Sequence, residues 1–188
     1  SGRVITGFQR LKPNVSRVTV YASPILLGSL YHLDPAPLEP LAQAISQGGI
    51  PCQVTGEVDK ALWAKMLYNC TLNPLGAIVG VHYGALMENP HSVAIMDETI
   101  DEIFAVMTAA GYSTYWPDAD SYRREFYAKL LPDTYRHNSS TLQDIRSKRP
   151  TEIDTLTGRI LALAAEHHIP VPVNTMLYRL IKTLEANY

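Results

Sequence analysis

The chain has 188 residues, 46% hydrophobic and 18% charged, with a formal net charge of -2. That balance is typical of a water-soluble domain; without a basic excess, nucleic acid and anionic membrane surfaces are excluded as main partners, and no apolar run nears the ~20 residues of a membrane span. Ser1–Arg10 has no leader-like pattern, and two cysteines, Cys52 and Cys70, are too few for a disulfide framework. They read as buried thiols of a cytoplasmic protein, with no Cys or His neighbours at metal-ligand spacing.

Arg3–Arg10 and Arg17–Ala22 are β-branched and aromatic with rough alternation, and Lys12-Pro13-Asn14 lies between them as a turn, so a hairpin is expected. Pro24 and Gly28 punctuate the exit. Leu38–Gln47 reads as a short helix ended by Gly48-Gly49, and Ile50–Val54 as one more strand. From Val58 onward the pattern is helical almost throughout. Asp59 is the expected N-cap of a helix that Pro74 closes, because proline lacks an N–H and disfavours helical geometry at Asn73. Leu75–Tyr83 follows as helix and then turn.

Pro90 opens a long amphipathic helix ended by Gly111, with Val93, Ile95, Met96, Ile100, Ile103, Phe104, Val106 and Met107 as its apolar face. Asp97, Glu98, Asp101 and Glu102 read as its solvated face. Tyr122–Leu131 is a further helix, stopped by Pro132. Ser140-Thr-Leu-Gln143 has the form of a capping box opening a helix to about Lys148, and Thr151-Glu-Ile-Asp154 that of a second, opening a helix through Ala165. Asn174 is expected to cap a last helix from Thr175 to about Asn187. The fold class is therefore mainly α: an all-helical domain over 58–188, preceded by strands in 1–57 that are too few to stand alone and read as the end of a larger α/β domain.

Two constellations carry chemistry. Lys65, Asn69 and Asn73 recur every four residues in a largely apolar helix, so at ~100° per residue they share one stripe. Such a stripe fits a substrate clamp: a lysine can neutralise and protonate an alkoxide formed by hydride attack, while carboxamides bind a hydroxyl or carboxylate. It equally fits a solvated face or a pair of asparagines satisfying nearby loops. The second constellation is His137–Asp154. Ser139 or Ser140 at a helix N-terminus is a seat for an anion, and Glu152 falls in the expected first turn of the next helix; two well-capped helices with a basic patch at Arg146, Lys148 and Arg149 fit the same residues.

Taken together, Lys65-x3-Asn69-x3-Asn73-Pro-Leu and Ser139-Ser140-x-Leu-Gln-Asp-Ile-x4-Pro-Thr-Glu152-Ile-Asp resemble the C-terminal domain of the ketopantoate reductase (2-dehydropantoate 2-reductase) family, over essentially the whole chain. The resemblance implies residues 1–57 as the C-terminal remnant of a Rossmann-type nucleotide-binding domain and 58–188 as an all-α substrate-binding and dimerisation domain. It implies an enzyme that reduces ketopantoate to pantoate with NADPH on the route to pantothenate and coenzyme A, with a small-molecule 2-keto acid as partner and a homodimer as a compatible assembly. By position, Lys65 matches the family's general acid, Asn69, Asn73 and Ser140 its substrate-binding residues, and Glu152 the acidic residue near the cofactor. Two departures stand out. The sequence contains no G-x-G-x-x-G turn, so these residues alone are expected to hold NADPH poorly and to turn over little. Where some members carry an asparagine ten residues after the second Asn, this chain has Tyr83, which leaves open a reductase of the same fold acting on another 2-keto acid. A helical dimerisation module without chemistry is the rival from a different class.

Overall fold

The chain starts in a short strand, β1 (Gly2–Arg3), and then forms the expected hairpin from β2 (Thr6–Lys12) and β3 (Val15–Tyr21). The computed structural model describes residues 1–21 and 23–187, and the side chains of these except 6–10 and 19–21. The end of the expected second strand, Ala22, lies outside the described residues. Lys12 pairs with Val15 across Pro13-Asn14, and Asn14 sits at φ 62°, a left-handed conformation that asparagine tolerates better than most residues. The stretch expected as one strand, Arg3–Arg10, is divided between β1 and β2, which belong to different sheets.

A second sheet has the order β1-β4-β5, where β4 is Ile25–Leu27 and β5 is Cys52–Val54. β1 runs antiparallel to β4 and β5 parallel to it. Parallel neighbours need a long crossover, here one that carries α1 (Glu39–Gln47). Ser46 ties the end of that helix to β5, its hydroxyl accepting from Cys52 N at 2.9 Å and donating to Cys52 O at 3.1 Å. This strand–helix–strand unit is what the sequence led one to expect of the end of an α/β domain.

Eight α-helices are described in all, and the chain divides into two compact units, Ser1–Trp63 and Ala64–Tyr188. α2 (Val58–Val79) is the longest helix, and it overturns the expected stop: Pro74 lies inside it. Proline removes one ladder bond at a cost of about 3 kcal/mol. Every residue from 70 to 77 is buried, however, and each fully buried leucine among them contributes roughly 1.5–3 kcal/mol. Packing wins over the local rule, and Asn73 lies within the helix rather than at its end.

α3 (Tyr83–Met87) follows, then α4 (Pro90–Ala109), whose N-cap Asn89 accepts from His91 N and Ser92 N. α4 buries Met96, Ile100, Ile103, Phe104, Val106 and Met107, but Ile95 is exposed, one position off the stripe. α5 (Ala119–Glu125) is capped by Asp118 and runs into a π-helical turn, Phe126–Leu130, so the helix expected from Tyr122 starts earlier and ends irregularly. α6 (Ser140–Arg146), α7 (Thr157–Glu166) and α8 (Pro172–Glu185) complete the helical unit. Ala77, Leu142, Ile153 and Ile181 form one buried apolar cluster that draws the end of α2, α6, the loop before α7, and α8 together.

The acidic run on α4 is not simply a solvated face. Asp97 accepts from Tyr127 Oη at 2.8 Å, Asp101 pairs with Arg123 at 2.5 Å, and Glu102 caps α8. Val171, at the α8 N-cap position, offers no side-chain bond, so the orphan N–H groups of Val173 and Asn174 turn to Glu102 at 2.8 and 2.9 Å. Asn174, expected as the cap, sits in the first turn instead and donates Nδ2 to Glu102 Oε2 at 2.7 Å.

Candidate active site

Because α2 is continuous through Pro74, Lys65, Asn69 and Asn73 do lie along one helical stripe, about 12 Å from first to last at 1.5 Å per residue. Lys65 and Asn69 are half-buried, while Asn73 is only 4% exposed. Its carboxamide oxygen accepts the phenolic O–H of Tyr83 at 2.6 Å. Tyr83 is in turn fixed by its backbone N–H to His137 O at 3.1 Å and by rings on both sides, Tyr68 edge-on at 5.9 Å and His137 at 5.2 Å.

These contacts join the end of the α2 stripe to the segment that leads into Ser139-Ser140. Gly84 N donates to Tyr135 O at 2.8 Å, and Arg146 reaches back to Gly80 O at 2.9 Å. The close approach at Gly84 requires glycine, since a Cβ there would lie 2.3 Å from the Tyr135 ring. Beyond this segment the structure corrects the expected capping box. Ser139, 1% exposed, is the N-cap and accepts from Leu142 N at 3.0 Å, and Gln143 donates to Asn138 O rather than closing a box with Ser140. Ser140 is exposed, and its hydroxyl is not spent on capping.

Glu152 is also differently placed than expected. α7 begins at Thr157, so Glu152 stands not in a first helical turn but in a turn over residues 152–156, where its carbonyl accepts from Leu156 N at 3.0 Å. The Thr151 backbone N–H and hydroxyl both donate to Glu185 Oε1 of α8, at 2.8 and 2.7 Å, while the hydroxyl oxygen accepts from Ile153 N at 3.2 Å. On the other side of Glu152, Ile153 is buried against Leu142. The exposed Glu152 carboxylate is thus carried between two anchored residues, one of them packed on the helix that opens with Ser140. Among the described residues no hydrogen bond joins Ser140 or Glu152 to the α2 stripe; the structure connects them through Tyr83 and the shared core.

Charge sets the acid stability of the Glu152 turn. Burial pushes the Glu185 carboxyl up, but bonds from Lys182 and from the Thr151 N–H and hydroxyl outweigh it, and it titrates below its ordinary value. Asp154 is also lowered, by bonds from Tyr178 and Lys182. Groups lowered in the folded state stabilise it above their ordinary pKa and lose that contribution as pH falls. Unfolding midpoints in urea should therefore begin to drop as pH passes below the ordinary glutamate value of 4.5, and Glu185→Gln should flatten that dependence. A pH profile identical in the variant would contradict the assignment.

Cys70 is fully buried, and burial pushes its thiol up to about 12, so it is an inert packing residue rather than a nucleophile. The sequence reading missed Tyr83 as the partner of Asn73, Glu185 as the anchor of the Glu152 turn, and Glu102 as a helix cap. Only the placement of Tyr83 ten residues after Asn73 left any trace in the sequence.

Residues 57–185 match the family model described as ketopantoate reductase PanE/ApbA, C terminal. The chain belongs to the ketopantoate reductase family. A 2-dehydropantoate 2-reductase of Aquifex aeolicus is 39% identical over 184 residues, covering 97% of this chain and 59% of that protein. A 2-dehydropantoate 2-reductase of Vibrio cholerae is 36% identical, covering 79% of this chain and 48% of that protein. Among solved structures, a PanE/ApbA family ketopantoate reductase from Ralstonia eutropha superposes with a TM-score of 0.83 at 30% identity, over 99% of this chain and 59% of the other. The chain thus spans about half to three-fifths of the length of the ketopantoate reductases it matches. A D-mandelate dehydrogenase solved with NADH shares the fold at 20% identity, with a TM-score of 0.82 over 97% of this chain and 59% of that one. No described helix is long and apolar enough to cross a membrane.

Proposed function

We propose that this chain is the substrate-binding part of an NADPH-dependent cytoplasmic enzyme that reduces 2-dehydropantoate to pantoate, supplying pantothenate and coenzyme A synthesis. Residues 1–57 are read as the end of the Rossmann-type nucleotide-binding domain and 58–188 as the substrate-binding and dimerisation domain. The observation that carries the reading is the α2 stripe, unbroken through Pro74 and tied by Tyr83 to the segment bearing Ser140.

NADPH, when bound, supplies the hydride. In this chain the residue suited to the cofactor is Glu152, whose exposed acceptor-only carboxylate on an anchored turn fits the hydroxyl donors of a ribose. The glycine-rich turn for the pyrophosphate is not among these residues, so by themselves they bind the cofactor weakly and turn over little. The remaining chemistry belongs to side chains present here. Lys65 faces the substrate's carbonyl oxygen, neutralises the negative charge that develops there and donates a proton to it. Asn69 and Asn73 orient the acid from the same helix, and Ser140 binds its far end from the start of α6.

The test is NADPH oxidation by the full-length enzyme carrying this chain. Oxidation that depends on added 2-dehydropantoate, and that is far weaker with unrelated 2-keto acids, is the expected result. Equal or better turnover of another branched 2-keto acid would move the assignment to a reductase of the same fold with a different substrate, the reading that Tyr83 keeps in view. No keto-acid-dependent oxidation at all would favour a dimerisation module without chemistry.

A further inference from the structure

Tyr83 occupies a place in the candidate site for which the roles proposed so far have no use. Its hydroxyl lies 2.6 Å from Asn73 Oδ1, and both residues are buried, at 3% and 4% exposure. The direction of this bond follows from the chemistry. A carboxamide turned the other way would set its NH2 against the phenol oxygen and leave the phenolic proton, among the described residues, with no acceptor. Burial also pushes the phenol well above its ordinary range, so it stays a donor at any working pH. Nor is the ring free to swing. The Tyr83 N–H is bonded to His137 O at 3.1 Å, Tyr68 meets the ring edge-on at 80°, and His137 packs on it from the segment that leads to Ser140.

We propose that Tyr83 is a positioning residue that locks the Asn73 carboxamide in one orientation, so that its NH2 group is the end presented to the keto acid. The inference rests on the reductase reading above and adds to it a statement about specificity. The Tyr83 bond takes one of the two lone pairs of Oδ1 and fixes the turn of the carboxamide, which sets the NH2 end as the donor offered on the other side. The substrate group that this NH2 meets is one that accepts a hydrogen bond, as a carboxylate or carbonyl oxygen does. Tyr83 also links Asn73 to the chain that presents Ser140, so both ends of the substrate are held to one reference. A phenol that orders a carboxamide contributes through the preorganisation of binding, which appears in KM rather than in the rate of the proton transfer at Lys65.

The experiment is a double-mutant cycle in the full-length enzyme with 2-dehydropantoate. Tyr83→Phe keeps the ring and removes the hydroxyl. It should raise KM about fivefold, the scale of one net hydrogen bond, with kcat changed less than about twofold. In an Asn73→Ala background the same substitution should leave KM unchanged, because the group it positions is gone. Asn73→Asp gives a second arm: it keeps the acceptor for Tyr83 but exchanges the NH2 donor for an anion, and should raise KM by more than fivefold when assayed well below a melting temperature that the buried carboxylate lowers. The proposal is overturned if Tyr83→Phe leaves KM unchanged, if its effect on KM is the same with and without Asn73, or if Asn73→Asp binds the acid as well as the parent does. A parent enzyme that shows no keto-acid-dependent oxidation sinks the reductase reading itself and the inference with it, an outcome distinct from a working enzyme indifferent to Tyr83.

Discussion

On the reductase reading proposed above, replacing Lys65 by alanine in the full-length enzyme should lower 2-dehydropantoate-dependent NADPH oxidation by about a hundredfold or more, the scale for losing a general acid. The loss should fall on kcat and on kcat/KM alike, because in the proposed role the ammonium acts on charge that exists at the substrate oxygen only as the hydride arrives. Alanine has at least the helix propensity of lysine, so α2 keeps its course through the substitution. Lys65→Arg is the sharper control. It keeps the charge but replaces a compact, transferable proton source with a planar group that does not deprotonate, and it should recover affinity for the acid far better than turnover. Steady-state kinetics of the two variants decide the matter; a turnover rate unchanged in Lys65→Ala removes Lys65 from the chemistry.

The largest effect on stability is expected at Glu102, far from any proposed catalytic role. Glu102→Ala takes away the acceptor for Val173 N, Asn174 N and Asn174 Nδ2 in one step. Hydrogen bonds to a charged group are worth about 1.5–3 kcal/mol each when one stands alone, and a carboxylate at a helix N-terminus adds about 0.3–1 kcal/mol. The three bonds share one half-buried side chain and water can replace part of them, so a loss of about 3 kcal/mol is the expected total. For a chain of this size that corresponds to a fall of roughly 6–12 °C in melting temperature. Glu102→Gln retains one acceptor oxygen and should lose about half as much. Thermal and urea unfolding of both variants would measure this, and a shift of less than about 2 °C for Glu102→Ala would show that α8 is capped by other means.

What could be read from the sequence, and what could not, follows the range of the interaction. The Lys65, Asn69, Asn73 stripe was legible because helical spacing is a local property, and so was the Pro13-Asn14 hairpin turn. Pro74 was misread for the same reason: the local rule is sound, but the residues on either side are buried by elements far away in sequence, and their packing outweighs it. The second capping box failed because Thr151 donates its N–H and hydroxyl to Glu185, 34 residues on, and accepts only from Ile153 N nearby, in a turn rather than a helix. Glu102 looked solvated because its partners lie 71 and 72 residues away. Between Ser139 and Ser140 the glutamine at position 143 pointed to the wrong serine: once Leu142 is packed in the core, Ser139 is the residue left at the cap. Of the candidate site, spacing revealed the shared stripe on α2, whereas the contact of Tyr83 with Asn73 depends on a chain reversal that spacing alone does not reveal.

A crystal structure of the full-length enzyme with pantoate and NADP+ bound tests the central claim most directly. The account predicts one ligand within hydrogen-bonding distance of Lys65 Nζ, Asn73 Nδ2 and Ser140 Oγ, with the Glu152 carboxylate beside the cofactor. Pantoate bound elsewhere, or bound at α2 with Ser140 and Glu152 facing open solvent, would contradict it.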